Sequence, residues 1–326
     1  MRLTFAPLIL SVICLFATPA RADVGFQHFE INDPQGAPIE VGVWYPTDAK
    51  ASVQRLELGT QIVATDAPVK GRGLALILLS HGHGGSYAGH TDTAIALAQA
   101  GYVAAALTHN GDSWRDSSRA VEIWERPRQL KLLDDYLQGE WRDHDIIDPK
   151  RVGAFGFSAG GFTVLAAAGG VPDLTAMREH CRAHPSFEDC RIVAQSKPVL
   201  GQPISWVQDN RIRAVVSAAP ALGFAFGKAG LAMVRVPVQL WRAANDQVLP
   251  SPDYAEPVRA NLPGPSDYHV VPLAGHYDFL APCSQQLAQA VPAICMSDAA
   301  FDRAAFHTVF NRDVVAFFDN VLARPD

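Results

Sequence analysis

From Leu74 to Ser80 and again from Tyr102 to Leu107 the chain is almost wholly apolar, as strands covered on both faces of a sheet must be. Tyr87–Ala100 lies between them with helical spacing, so the three segments predict a β-α-β crossover. Gly25–Ile31 and Ile39–Tyr45 alternate instead, which predicts half-exposed strands. The rhythm continues downstream. Leu130, Leu133 and Leu137 share one face of a helix over Arg126–Leu137, with Pro127 tolerated in its first turn. Arg151–Phe157 reads as a strand and Ala159–Ala168 as a helix of small residues. Ala214–Ala218, Val236–Trp241 and Tyr268–Pro272 read as further strands, and Phe301–Leu322 as a closing amphipathic helix. Alternation of this kind predicts an α/β fold with a mostly parallel central sheet and helices on both faces. One Pro-containing segment, Val171–Asn210, breaks the rhythm. It is expected to be a helical insertion over one end of the sheet, a candidate lid.

The amino-terminal stretch follows another logic. Met1–Ala22 has an early Arg2, an apolar run from Phe5 to Ala17 too short to span a bilayer, and Ala20-Arg21-Ala22 at its end. It is expected to be a signal peptide cleaved before Asp23, which places the mature chain in the periplasm or outside the cell. Cys14 lacks the preceding small residue of a lipidated cysteine and leaves with the leader. Cys181, Cys190, Cys283 and Cys295 remain, and four cysteines allow three pairings. Sequence proximity favours Cys181–Cys190 and Cys283–Cys295, and an oxidising compartment would keep them. With no repeat and no Ser/Gly linker, residues 23–326 are expected to form one domain carrying an insertion at about 171–210.

Composition narrows the function. The 326 residues are 48% hydrophobic and 18% charged, against roughly 25% charged in an ordinary soluble protein, so disorder is excluded as the main state. Lys and Arg number 27 against 33 Asp and Glu, a net charge of −6 with no basic cluster, which argues against a nucleic-acid partner. No basic amphipathic helix supports action at a membrane surface, and no stable membrane insertion is expected.

The chemistry sits at the ends of the expected strands. Gly156-Phe157-Ser158-Ala159-Gly160-Gly161 follows a strand and opens a helix, the context that makes G-x-S-x-G a nucleophile elbow. Gly156 and Gly160 are small because the turn is tight, and Ser158 would stand at the strand's carboxyl end. A serine needs a base. His276, in Gly275-His276-Tyr277-Asp278, follows the last strand, and Asp246, in Asn245-Asp246-Gln247, follows the strand before it. The order Ser158, Asp246, His276 is that of α/β-hydrolase triads. Asp209 and Asp253 are competing acids in loops, while Asp278 is expected to hold the histidine loop. For the oxyanion, the backbone N–H of Ala159 would serve with that of His83 in Ser80-His81-Gly82-His83-Gly84-Gly85. His81, His83 and His90 could be read as metal ligands, but no carboxylate stands at ligand spacing, so no metal or organic cofactor is expected. Trp114, Trp124, Trp206 and Trp241 could line an aromatic cleft, although most are expected in the core.

Val41-Gly42-Val43-Trp44-Tyr45-Pro46, the Ser80–Gly85 loop, the elbow and Gly275–Cys283 together resemble the predicted dienelactone hydrolases, near the platelet-activating-factor acetylhydrolase-like branch of α/β-hydrolases. The resemblance runs from about Phe26 to the last helix. It implies an α/β-hydrolase fold and a cofactor-free, lipase-like serine esterase using Ser158, Asp246 and His276, with His83 and Ala159 as oxyanion donors. Dienelactone hydrolases use a cysteine nucleophile, and the acetylhydrolases place the acid after an earlier strand, where this chain has Ala219 and Pro220. Their substrates are therefore not carried over. The expected partner is a small-molecule ester, and the sequence is silent on oligomeric state. A serine peptidase of the prolyl-oligopeptidase type and a non-enzymatic binding protein on the same fold are the alternatives.

Overall fold

A computed structural model of the chain describes residues 23–196 and 204–323. The expected leader, residues 1–22, lies outside them. Ten strands form the sheet: β1 (Asp23–Ile31), β2 (Ile39–Thr47), β3 (Ser52–Leu56), β4 (Gly59–Thr65), β5 (Leu74–Ser80), β6 (Val103–Leu107), β7 (Ile147–Phe157), β8 (Ile212–Ala218), β9 (Val238–Ala243) and β10 (Asp267–Val271). Their spatial order is β10-β9-β8-β7-β5-β6-β2-β1-β4-β3. The run from β10 to β6 is parallel throughout, and β2 joins β6 antiparallel before β1 pairs with it.

Side-chain alternation along the central strands explains their continuous apolar run. In β5, Leu76 and Leu78 face one layer of helices while Ile77 and Leu79 face the other. The first layer holds α2 (Glu125–Gly139) and α3 (Ala159–Ala167), which contribute Leu130, Leu133, Leu137, Phe162 and Leu165. The second holds α1 (Thr91–Gln99) and the closing helix α9 (Arg303–Val321), through Leu97, Phe310, Val314 and Phe318. Asp302 starts α9 by accepting the N–H of Ala305 at 2.9 Å.

Three expectations change. β2, read as half-exposed over Ile39–Tyr45, is buried along almost its whole length, with Val41 and Val43 in one apolar layer and Trp44 in the other. The helix read from Tyr87 begins only at Thr91, because residues 87–90 form turns in which the Tyr87 N–H donates to Thr108 Oγ1. The sheet also gains a hairpin, β3–β4, that the pattern did not predict. Its outer face exposes the cross-strand neighbours Val53 and Ile62, and its turn at Glu57-Leu58 lacks the Asn-Gly type of signal. The insertion does contain helices, α4 (Ala176–Ala183) and α5 (Glu188–Gln195), joined by the Cys181–Cys190 disulfide. A second disulfide links Cys283 and Cys295, beyond the histidine loop.

Candidate active site

β7 delivers Ser158 and α3 leaves immediately after it, so the chain reverses within one residue. Ser158 takes φ +56° and ψ −119°, a conformation that a non-glycine residue holds only when its surroundings impose it. Those surroundings are the two glycines. A Cβ on Gly156 would lie 2.1 Å from the Gly160 carbonyl oxygen, and one on Gly160 would lie 1.9 Å from that of Ser80. Backbone bonds fix the turn, with the Ser158 N–H donating to the Ala218 carbonyl and the Ala221 N–H to that of Ser158.

The loops after β9 and β10 bring Asp246 and His276 to this serine. Ser158 Oγ lies 3.0 Å from His276 Nε2, and His276 Nδ1 lies 2.8 Å from Asp246 Oδ2. All three residues are buried. The other carboxylate oxygen of Asp246 accepts the N–H groups of Val248 and Leu249 at 2.9 and 2.7 Å, which aims Oδ2 at the ring. Phe157 supports that ring, 4.8 Å away between centroids. Among the competing acids, Asp209 accepts from Arg211, and Asp253 faces His184 at 3.9 Å. Asp278 accepts the Gly275 N–H and pairs with buried Arg303 on α9, so it holds the histidine loop rather than the histidine ring.

The loop after β5 closes on Ser158 from the other side. A Cβ on Gly82 would lie 3.2 Å from that of Ser158. His83 and Ala159 line the same cavity as Ser158 and His276, and Ala159, first in its helix, has no intrahelical acceptor for its N–H. His81 is buried beneath the loop. Its Nδ1–H donates to the Gly82 carbonyl while Nε2 accepts the His109 N–H, a pattern that requires the neutral ring. Burial, reinforced by the nearby Arg126 guanidinium, holds its pKa down at about 3.

His81, His83 and His90 do not converge on a metal site. His83 turns to Asp112, and His90 packs against Phe155 and Phe157. Among the described residues, His180, His184 and Asp253 do bring potential ligand atoms within 4.8 Å of one another. His180 Nε2 is committed elsewhere: it donates to the Tyr254 hydroxyl at 3.1 Å, which donates in turn to Asp189 at 3.0 Å. The group therefore works as a latch, pinning α4 and α5 to the segment that follows Asp246.

The cavity above the serine measures about 790 Å³. Ile123 and Trp124 form one wall. Leu174, Met177, Ile192 and Val193 of the insertion form the roof, and Leu222, Val248 and Leu249 complete an apolar lining. Trp124 alone of the four tryptophans considered lines it; Trp241 is buried, Trp206 packs on Phe162, and Trp114 is exposed. The periodicity gave no sign of Asp112, Arg126 and Thr163, which support the floor.

Comparison with known proteins agrees with the architecture. A model of the prolyl oligopeptidase family matches residues 89–176, a stretch that carries Ser158 but stops before Asp246 and His276. A solved ferulic acid esterase from Streptomyces cinnamoneus is 20% identical, with a TM-score of 0.66 over 96% of this chain and 96% of its own. No curated protein matches the sequence. The chain has the α/β-hydrolase fold. Because 830 solved chains share that likeness, the fold by itself names no substrate.

Proposed function

We propose that this protein is a serine hydrolase that cleaves carboxylic esters through an acyl-enzyme. The observation that carries the reading is the hydrogen-bonded line Ser158–His276–Asp246 opening into an apolar cavity. Ser158 Oγ attacks the ester carbonyl carbon as its proton passes to His276 Nε2, and Asp246 stabilises the imidazolium through Nδ1–H. The tetrahedral oxyanion accepts from the N–H groups of Ala159 and His83. Collapse breaks the bond to the alcohol oxygen, which leaves with the proton from Nε2. Water then attacks the acyl-enzyme, gives a proton to the same nitrogen, and releases the acid as Ser158 recovers its hydrogen.

An apolar cavity of this size suits an ester with a bulky acyl or aryl group better than an acetyl group alone. The ferulic acid esterase likeness is consistent with an aromatic acid ester. A series of p-nitrophenyl esters from acetate to long acyl chains, together with aryl esters, tests the proposal against a Ser158→Ala control. Turnover no greater than the control's would sink it. The partial match to the prolyl oligopeptidase family favours a second reading, a serine peptidase. Peptide p-nitroanilides separate the two, since a peptidase would cleave them well above the Ser158→Ala control and an esterase would not. Failure of Ser158 to react with a fluorophosphonate would instead favour a binding protein. Two disulfides accord with an exported protein, and among the described residues no helix is long and apolar enough to cross a membrane.

A further inference from the structure

At the cavity floor lies an ion pair that the acyl-transfer steps do not use, with Asp112 lining the cavity and Arg126 behind it. Arg126, in the first turn of α2, is 2% exposed, and its Nη1 lies 2.5 Å from Asp112 Oδ2. A pair like this gives little net stability, because desolvating two charges offsets most of their attraction. Its worth must be sought in what it holds. Arg126 Nη2 donates to the His81 carbonyl, at the root of the β5 loop. Its Nε donates to Thr163 Oγ1 at 3.1 Å, and that hydroxyl donates to the Ala159 carbonyl at 2.7 Å. Asp112 completes the set, because its Oδ1 accepts both His83 Nδ1–H at 2.5 Å and the Gly84 N–H at 3.2 Å.

We propose that the Arg126–Asp112 pair is a positioning device that holds both backbone donors of the oxyanion hole in register. This rests on the serine-hydrolase reading above and adds to it the groups that set the donor geometry. The donors come from unconnected parts of the chain, His83 from the loop after β5 and Ala159 from the start of α3. Their spacing depends on how the β5 loop is held against the elbow, where Gly160 already packs on the Ser80 and His81 carbonyls. Loop residues Gly82 to Gly85 are three glycines and one histidine, and Gly84 sits at φ +66°, so the peptide before His83 relies on hydrogen bonds for its orientation: its Gly82 carbonyl accepts from His81 Nδ1–H and the Gly85 N–H, and the ion pair adds to these. A clamp on the His83 ring, the Gly84 N–H and the His81 carbonyl stops that peptide from turning its N–H away. The Thr163 bridge references the clamp to the helix that carries Ala159. Burial alone would raise the Asp112 carboxyl, but Arg126 and then the His83 ring hold it down at about 2, so the clamp stays charged across the working range of a triad. Arg126 touches no substrate in this arrangement and acts only through the donors.

The variants Asp112→Asn, Thr163→Val, Arg126→Lys and Arg126→Met test this in the full chain. Three readouts are needed: kcat and KM on one p-nitrophenyl ester, inhibition by a boronic acid that forms a tetrahedral adduct on Ser158, and the thermal midpoint. A misaligned donor should lower kcat about 10²–10³-fold in Asp112→Asn and Arg126→Met, with KM changed less than about threefold. Boronate affinity should fall in parallel, since only the tetrahedral species uses the hole. Thr163→Val, which cuts one bridge, should lose about tenfold, and Arg126→Lys should recover part of the Arg126→Met loss. A merely structural pair would move the midpoint without this split between kcat and KM. If the Arg126 variants fail to fold, Asp112→Asn and Thr163→Val decide. Folded Asp112→Asn and Thr163→Val proteins with kcat and boronate affinity within threefold of wild type overturn the positioning role alone. A wild-type protein inert to both the ester and a fluorophosphonate overturns the serine-hydrolase reading as well.

Discussion

Replacing Asp246 with Asn tests the triad more sharply than removing the serine does, because the structure dictates how the new amide must sit. Asp246 Oδ1 accepts two backbone N–H groups, from Val248 and Leu249. Those donors demand an acceptor, so the Asn carbonyl oxygen must take that place and its NH₂ must face His276. The ring then has a donor opposite Nδ1 and meets it by moving its own hydrogen to Nε2. Nε2–H now points at Ser158 Oγ, 3.0 Å away, and cannot accept the serine proton. Volume and backbone bonds are unchanged, so the fold should survive. The loss should be about 10⁴-fold in kcat, or ~5.5 kcal/mol in the barrier, with KM nearly unchanged. Steady-state hydrolysis of a p-nitrophenyl ester, read beside wild type and Ser158→Ala, measures it directly. An Asp246→Asn protein within tenfold of wild type would refute the assignment of Asp246 as orienting acid.

The neighbouring carboxylate should behave differently. Asp278→Ala leaves Arg303 buried without its partner and should cost about 3–5 kcal/mol of stability by urea titration, while the folded protein still labels with a fluorophosphonate. Gly156→Ala puts a Cβ 2.1 Å from a backbone oxygen, so the purified variant should show either a collapsed yield or no turnover. Cys181 and Cys190 are nine residues apart, and opening their bond by a double Ser substitution should remove roughly 2.5–3 kcal/mol of loop-closure stabilisation. Because α4 and α5 roof the cavity, KM for bulky esters should rise more than KM for acetate. Stability should also fall on acidification. Burial lowers His81 to about 3 and His90 to about 4, against an ordinary value near 6.5. Above pH 6.5 both rings are neutral folded or unfolded. Below it the unfolded chain alone takes up protons, costing about 1.4 kcal/mol per pH unit for each ring down to about pH 4. His90→Phe should remove one ring's share of the slope between pH 7 and 5, and an unchanged slope would refute the assignment.

What could be read before folding was whatever a single segment had to state for itself. Leu76, Ile77, Leu78 and Leu79 needed no knowledge of α2 or α9 to announce that both faces of β5 are covered. Gly156 had to be small because its nearest neighbours, Gly160 and Gly161, belong to the same elbow, whereas Gly160 is pressed by the Ser80 and His81 carbonyls of the β5 loop. Asp246 and His276 could be picked out as candidates because parallel strands end on one side, so a residue just past a strand lies near the elbow. The hairpin Ser52–Thr65 escaped because an edge strand has weak demands on composition, and Val53 and Ile62 meet solvent. Arg126 and Asp112 escaped for a stronger reason. One lies in a helical turn, the other in a loop, and their pairing exists only once both pack beneath the β5 loop. The cavity walls share that property: Trp124 just precedes α2, whereas Met177, Ile192 and Val193 come from α4 and α5, two short helices that Tyr254 and a disulfide hold in place. Reaction chemistry sits where the fold repeats itself and is legible, whereas substrate choice sits where it does not. On the serine-hydrolase reading, a chain with this elbow can keep its mechanism while its roof changes what it cleaves, and swapping α4–α5 should alter relative KM values across the ester series while Ser158 still labels with a fluorophosphonate.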